Sequence, residues 1–177
     1  MNTYKRLFST SLYNYRAATN AQVFFTLSKD GNKLGDIVFE VYQNQAPRTS
    51  ENFLSFVKGC EIGSYKGTSF TGGYPGIALQ GGRVTPCNVA ADGGRLADEA
   101  LTLRHKRGTI SFSNDGENAN GSEFLISLGY TANVLDGYNS VVGELVEGED
   151  VLAQVEQSLS RHGTLAHNIK IEDCGTK

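Results

Sequence analysis

Apolar and polar residues alternate along several short stretches of the chain, and Leu34–Tyr42 is the clearest of them. Ile37, Phe39 and Val41 fall on one face of an extended segment there, and the other face is also partly apolar. Gln22–Ser28 has a similar character, and a turn of Asp, Gly and Asn separates the two stretches. Apolar residues on both faces are typical of a barrel strand that a helix covers from outside. The pattern therefore predicts two strands joined by a tight turn.

Strand signals recur in the second half of the chain. The apolar runs Thr109–Ser113 and Glu123–Ser127 are separated by a loop rich in Asn and Gly. This order predicts a strand–loop–strand unit, and a loop that polar must lie at the surface, where binding residues tend to concentrate. Asn168–Asp173 alternates again and is predicted to be the closing strand.

Two segments show helical spacing instead. Pro47–Lys58 begins with a proline tolerated in a first turn, offers Thr49 or Ser50 as a cap, and precedes Gly59. Glu149–Ser158 carries an apolar stripe at helical intervals. Short, regularly spaced strands with Gly-rich turns and two helices predict a mostly β fold. The predicted architecture is a closed antiparallel barrel of eight strands capped by two α-helices.

Two longer motifs accompany this pattern. Residues 108–124 read GTISFSNDGENANGSEF, and Tyr65–Gly82 reads YKGTSFTGGYPGIALQGG. The first resembles the central motif of the cyclophilin-type peptidyl-prolyl isomerases, and the second is similar to the family's Y-K-G-x-x-F-H-R-x-x-P-G-F-x-x-Q-G-G. The resemblance runs from about Ala21 to Gly175 and implies a cyclophilin-like domain over residues 21–177. It also implies the family's activity, which is rotation about X–Pro peptide bonds.

The resemblance weakens at the positions that line the family's peptide-binding groove. Thr71 and Gly72 stand where the family has a His-Arg pair, and Val134 replaces a Trp. The resemblance therefore implies a degenerate groove, and its lining is Thr71, Gly72, Ile77, Ala78, Gln80, Ser113, Asn114, Glu123, Leu125, Val134, Leu135 and Asn139.

The missing Arg bears directly on catalysis. The resemblance implies that its guanidinium stabilises the twisted amide, and Gly72 has no side chain to replace it. Losing a charge-assisted hydrogen bond of roughly 1.5–3 kcal/mol predicts a step on the order of 10- to 100-fold slower. We expect an interaction subunit with weak or lost isomerase activity, and no catalytic residue is assigned. The alternatives are an active peptidyl-prolyl isomerase that assists folding and a module that binds proline-containing peptides without turnover.

Three polar groove positions bear on which ligand the groove binds. Gln80 and Asn114 either hydrogen-bond an extended peptide or pin neighbouring loops, because buried amides do both. Glu123 stands where the family has Gln, so we expect a more acidic groove that disfavours anionic ligands.

Composition narrows the partners. The net charge of −3 argues against a nucleic-acid partner bound through phosphate neutralisation. No apolar run is long enough to span a bilayer. No phosphate-binding spacing, CxxC pair or metal-ligand cluster occurs among the three cysteines and three histidines, so neither cofactor nor metal is expected. His105 lies in a run of bases, residues 104–107, which is expected to be a solvated face.

Residues 1–20 differ from the predicted domain. The segment has no acid, is rich in hydroxyl residues and carries Lys5, Arg6 and Arg16. This composition predicts a mitochondrial transit segment, and the alternative is an ordinary tail on a cytoplasmic protein. We expect the segment to stay attached and dock the protein onto other subunits of a larger assembly. The docking residues would be its apolar stripe at helical spacing, namely Tyr4, Leu7, Phe8, Leu12 and Tyr15.

Overall fold

The computed structural model of the protein describes residues 20–177. Eight strands and two α-helices are present in this part of the chain, as predicted. A short 3₁₀ helix, Tyr130–Leu135, precedes the seventh strand. In chain order the strands and α-helices are β1 (Ala21–Lys29), β2 (Asn32–Val41), α1 (Pro47–Lys58), β3 (Gly72–Tyr74), β4 (Ala78–Gly81), β5 (Thr109–Asn114), β6 (Asn120–Ser127), β7 (Val141–Glu147), α2 (Glu149–Gln157) and β8 (Ile169–Thr176).

The first hairpin shows how local sequence sets the register. Lys29 pairs with Asn32, so Asp30 and Gly31 form a two-residue loop. Both have positive φ, 51° at Asp30 and 82° at Gly31. That combination is the turn whose twist matches two antiparallel strands, and Asp-Gly is among the sequences that favour it.

The eight strands form one antiparallel sheet in the order β3-β4-β6-β5-β7-β2-β1-β8. The sheet curls into a half-barrel, and the prediction of a closed barrel is wrong because the edge strands β3 and β8 do not pair along their length. β3 has only three residues, and the loop before β8 contacts it instead, through a hydrogen bond from Gly73 N–H to the Gly163 carbonyl at 3.0 Å. A single bridge, between Ser69 and Lys170, joins the residues just before β3 to β8.

The helix bounds agree closely with the predictions, but the predicted N-cap of α1 is wrong. α1 has the predicted range, and α2 ends at Gln157, one residue early. Thr49 and Ser50 are buried inside α1, whose N-cap is Ala46 without a side-chain hydrogen bond. Instead, the Glu99 carboxylate accepts the Thr49 backbone N–H at 2.8 Å. A carboxylate at a helix N-terminus is favourable because it meets unpaired N–H groups and the positive end of the helix dipole.

An aromatic cluster fixes the position of β6. Phe124 on β6 stacks on Phe25 with ring centroids 5.7 Å apart and meets Tyr65 edge-on at 5.4 Å. The buried Tyr65 hydroxyl donates to the Ser122 carbonyl at 2.7 Å. Since alternate residues of a strand face opposite sides, anchoring Phe124 in the core turns Glu123 and Leu125 to the outer face.

Candidate functional site

The outer face of β4, β6 and β5 carries five of the twelve predicted groove residues, namely Ala78, Gln80, Ser113, Glu123 and Leu125. Leu79 on β4, Phe112 on β5 and Phe124 on β6 face the core. Their neighbours along each strand therefore face outward. The strand register places Gly72 opposite Gln80, Gln80 opposite Leu125, and Leu125 opposite Ser111, in one row across four strands. Ala78, Glu123 and Ser113 flank this row. The fold thus brings together residues spread over more than fifty positions of the chain.

Much of this outer face is covered. The Leu125 side chain is 3% exposed and Ala78 is fully buried. Ile77, Gln80 and Leu135 are half-buried. The apolar positions that would grip a proline ring therefore offer little surface to a ligand.

Gly72 has a backbone conformation that disfavours any side chain. Its φ is +147°, a value L-residues rarely adopt. A Cβ built on Gly72 would lie 2.5 Å from the carbonyl oxygen of Gly163, which also accepts the Gly73 N–H. The α2–β8 loop thus occupies the space that the first atom of a side chain would need. Thr71 is exposed, its hydroxyl donates to the Gln80 carbonyl at 3.4 Å, and it offers no substitute for a guanidinium.

The groove amides are held by the protein itself. Gln80 Nε2 donates to Ser113 Oγ at 3.4 Å, and Asn114 Nδ2 donates to the Tyr138 carbonyl at 2.7 Å. Asn139 is buried and donates to the Phe112 carbonyl at 2.9 Å. These contacts favour the loop-pinning interpretation for Gln80 and Asn114.

Arg83, which sequence reasoning missed, forms a bidentate ion pair with Glu123. Arg83 Nε and Nη2 donate to the two Glu123 carboxylate oxygens, each at 3.0 Å, and Nη1 donates to the Pro86 carbonyl. The Glu123 side chain is 2% exposed and that of Arg83 is 43% exposed. The hydrogen bonds and charge of Glu123 raise the pKa of Arg83. The expectation of an acidic groove is therefore wrong, because Glu123 is buried and neutralised.

The rim of the groove presents apolar surface. Val134 is 58% exposed at the end of the 3₁₀ helix, and Tyr138 just beyond it is 73% exposed. Tyr74 on β3 is 53% exposed. The Thr131 hydroxyl donates to the Gly76 carbonyl and so ties the 3₁₀ helix to the β3–β4 turn. These side chains, rather than the covered floor, are available to a partner.

His105 is buried beside Asp136, the residue that caps the end of the 3₁₀ helix, so the expectation of a surface histidine is wrong. Its side chain is fully buried, and Nδ1 lies 2.9 Å from Asp136 Oδ1. The same oxygen accepts the His105 backbone N–H at 2.7 Å, and Arg104 bonds the other carboxylate oxygen at 3.1 Å. Burial raises the pKa of Asp136, but these hydrogen bonds outweigh it and lower the pKa to about 2. Burial lowers the pKa of His105, and Asp136 opposes that shift.

The Asp136 carboxylate should make stability depend on pH in the acid range. Its pKa is depressed on folding from 3.8 to about 2, so its contribution is complete above the unfolded value and disappears as pH falls from 4 towards 2. Asp136→Asn should lower the free energy of unfolding by about 1–2 kcal/mol at pH 7 and by little at pH 2. Urea unfolding at both pH values measures this. Asp173→Asn, which breaks an exposed ion pair with Lys66, is the control and should change little. Equal losses for Asp136→Asn at both pH values would contradict the assignment.

The half-barrel of eight antiparallel strands with two helices, and the outer groove on β4, β6 and β5, are the architecture of a cyclophilin-like domain. A family model described as cyclophilin type peptidyl-prolyl cis-trans isomerase/CLD matches residues 18–176. The chain therefore belongs to the cyclophilin-type peptidyl-prolyl cis-trans isomerase family.

Two further observations concern residues 20–177. No helix in this range is long and apolar enough to cross a membrane. No group of three or more His, Cys, Asp or Glu side chains in this range is placed to hold a metal ion. The predicted docking residues of the N-terminal segment, Tyr4, Leu7, Phe8, Leu12 and Tyr15, lie outside the described residues.

Proposed function

We propose that this cyclophilin-like domain has little or no isomerase activity and serves as an interaction subunit of a larger, mitochondrial assembly. The observation that carries the proposal is the backbone at Gly72. A φ of +147° and a Cβ position 2.5 Å from the Gly163 oxygen make this site one for glycine, so the family's Arg is not accommodated there.

The chemistry of X–Pro rotation explains why this matters. The uncatalysed barrier of roughly 18–20 kcal/mol arises because amide resonance must be broken. A fixed guanidinium can stabilise the amide nitrogen as that resonance is lost. Arg83 is not expected to take over this role, because its bidentate pairing fixes the guanidinium at Glu123 rather than at position 72. The covered positions Leu125 and Ala78 also support weak binding of a proline ring.

Isomerase activity is the direct test. In a prolyl isomerisation assay beside an active cyclophilin, we expect a rate below about one tenth of the control, since one lost charged hydrogen bond already predicts that factor. A rate within about tenfold of the control would overturn this part of the proposal.

A weak peptidyl-prolyl isomerase, or a module that binds proline-containing peptides, is the second candidate. Family membership favours it, as do Gln80, Ile77 and Leu135, which keep part of their surface accessible beside the groove. Binding of proline peptides without turnover would identify a binding module, and binding with turnover would identify a weak isomerase.

The assembly role is proposed on the composition of residues 1–20. An apolar stripe with three bases and no acid would bury its aromatic side chains in a partner and so offset the entropy of ordering the segment. Deleting residues 1–20 should release the protein from its complex, abolish mitochondrial import and leave the domain folded. Affinity purification and circular dichroism of the deleted form measure these effects. Unchanged occupancy in the same complex would show that the domain surface is the anchor.

A further inference from the structure

Arg83 keeps hydrogen-bonding capacity that residues 20–177 do not use. A guanidinium has five N–H donors. Two of those on Arg83 bond Glu123 and one bonds Pro86, which leaves two. Glu123 is 2% exposed and the Arg83 side chain is 43% exposed, so the pair joins a buried carboxylate to a partly exposed cation. The pair is therefore a rigidly held donor at the surface.

A chain of contacts connects this donor to the exposed Tyr138. The Glu123 backbone N–H donates to Asn88 Oδ1 at 2.9 Å, and Asn88 Nδ2 donates to the Ser113 carbonyl at 3.2 Å. The next residue, Asn114, donates to the Tyr138 carbonyl at 2.7 Å. We call this surface the Arg83–Tyr138 rim, and its residues are Arg83, Asn88, Ser113, Asn114, Glu123, Val134 and Tyr138. Glu123 and Asn88 are buried, so a stable frame connects the cation to the exposed Tyr138.

We propose that the Arg83–Tyr138 rim binds an extended, acidic–apolar segment of a partner protein. A carboxylate of the segment would accept from the remaining Nη N–H groups of Arg83, because a charge-assisted hydrogen bond between a guanidinium and a carboxylate is stronger than a neutral one. An apolar side chain would cover Val134 and Tyr138, which are 58% and 73% exposed. The inference rests on the proposed role as an interaction subunit and names the chemistry of its partner.

The geometry of an extended peptide determines the design of the peptide probes. Residues two or four apart on an extended peptide share a face, whereas residues three apart do not, and each residue advances the chain by about 3.3 Å. Dye-labelled peptides of Ser and Ala would each carry one Leu and one Glu, at spacings of two, three, four or six positions. Matched peptides would replace Glu with Gln or Lys. Fluorescence anisotropy then reports binding to the full chain.

We expect a Glu peptide of even spacing to bind about tenfold or more tightly than its Gln counterpart, and the Lys peptide to bind most weakly. The advantage should shrink as salt is raised, because the Arg83 site is partly exposed. Equal binding of the Glu and Gln peptides, or no binding below about 1 mM, would overturn the proposal.

Paired substitutions assign the effect to Arg83. Arg83→Gln with Glu123→Gln removes both charges, leaves the net charge unchanged and should abolish the preference for Glu. Arg48→Gln with Glu51→Gln is the matched control, because both residues are exposed on α1, and it should preserve the preference. If the first pair does not fold, Arg83→Lys keeps the charge without the planar fork and should reduce the preference. An unchanged preference in a folded Arg83 variant would contradict the proposal.

The isomerase assay keeps this inference separate from the proposed function. A peptide preference that fails while isomerase activity is absent removes only the Arg83–Tyr138 rim as the docking surface. High isomerase activity would overturn the proposed function, whatever the peptides do.

Discussion

Replacing Arg83 with Ala is expected to lower the free energy of unfolding by about 3 kcal/mol, because it leaves the carboxylate of Glu123 buried without a partner. Breaking a buried ion pair typically costs roughly 3–5 kcal/mol, and the lower end applies here because water reaches the half-exposed side of Arg83. Urea unfolding of the wild type and the variant measures the loss. The loss should be largely reversed in the double variant Arg83→Ala with Glu123→Gln, because a buried Gln side chain leaves no unpaired charge.

Arg95 offers a closely matched control. Its side chain is also 43% exposed, but its partner Asp115 is 48% exposed, so that ion pair lies in water. Arg95→Ala should therefore cost about 1 kcal/mol or less. Equal losses for the Arg83 and Arg95 variants would contradict the view that burial of Glu123 makes the difference.

The parts of the fold set by local pattern were predictable. The range of α1 follows from apolar spacing between a first-turn proline and a terminal glycine, and the β1–β2 turn follows from Asp30-Gly31. Closure of the barrel was not predictable in this way. It depends on how the loop carrying Gly163 meets Gly73, and no period in the sequence reports the position of a loop.

In the candidate site, too, local sequence predicts some features and long-range contacts decide the others. Motif spacing predicts which residues line the groove, and that remains a prediction, but it could not predict the contacts of Glu123 and His105. Arg83 and Glu123 are 40 positions apart, and His105 and Asp136 are 31 apart. Runs of bases are usually solvated, so nothing local shows that His105 turns inward. The one sequence signal was a base directly after Gln-Gly-Gly and an acid on the strand expected beside it.

These contacts also bear on the proposal that the domain has little isomerase activity. If position 72 differed from the family only in its side chain, its backbone would still accept an Arg. Here the conformation of Gly72, the approach of Gly163 and the capture of Glu123 by Arg83 are mutually consistent. Together they support the proposed loss of isomerase activity, and placing Arg at position 72 with Trp at position 134 is not expected to give catalysis by itself.

Gly72→Ala should accordingly destabilise the domain by about 2–3 kcal/mol. An L-residue at φ +147° is strained, which costs about 1–3 kcal/mol, and its Cβ must also displace the Gly163 carbonyl from 2.5 Å. Gly116→Ala separates the two effects, because Gly116 has φ +134° but nothing within 4 Å of the position of its Cβ. Urea unfolding should therefore show a smaller loss for Gly116→Ala, with the excess in Gly72→Ala arising from the contact with the α2–β8 loop. Equal losses would mean that this loop moves aside freely, and the position would then be open to the family's Arg.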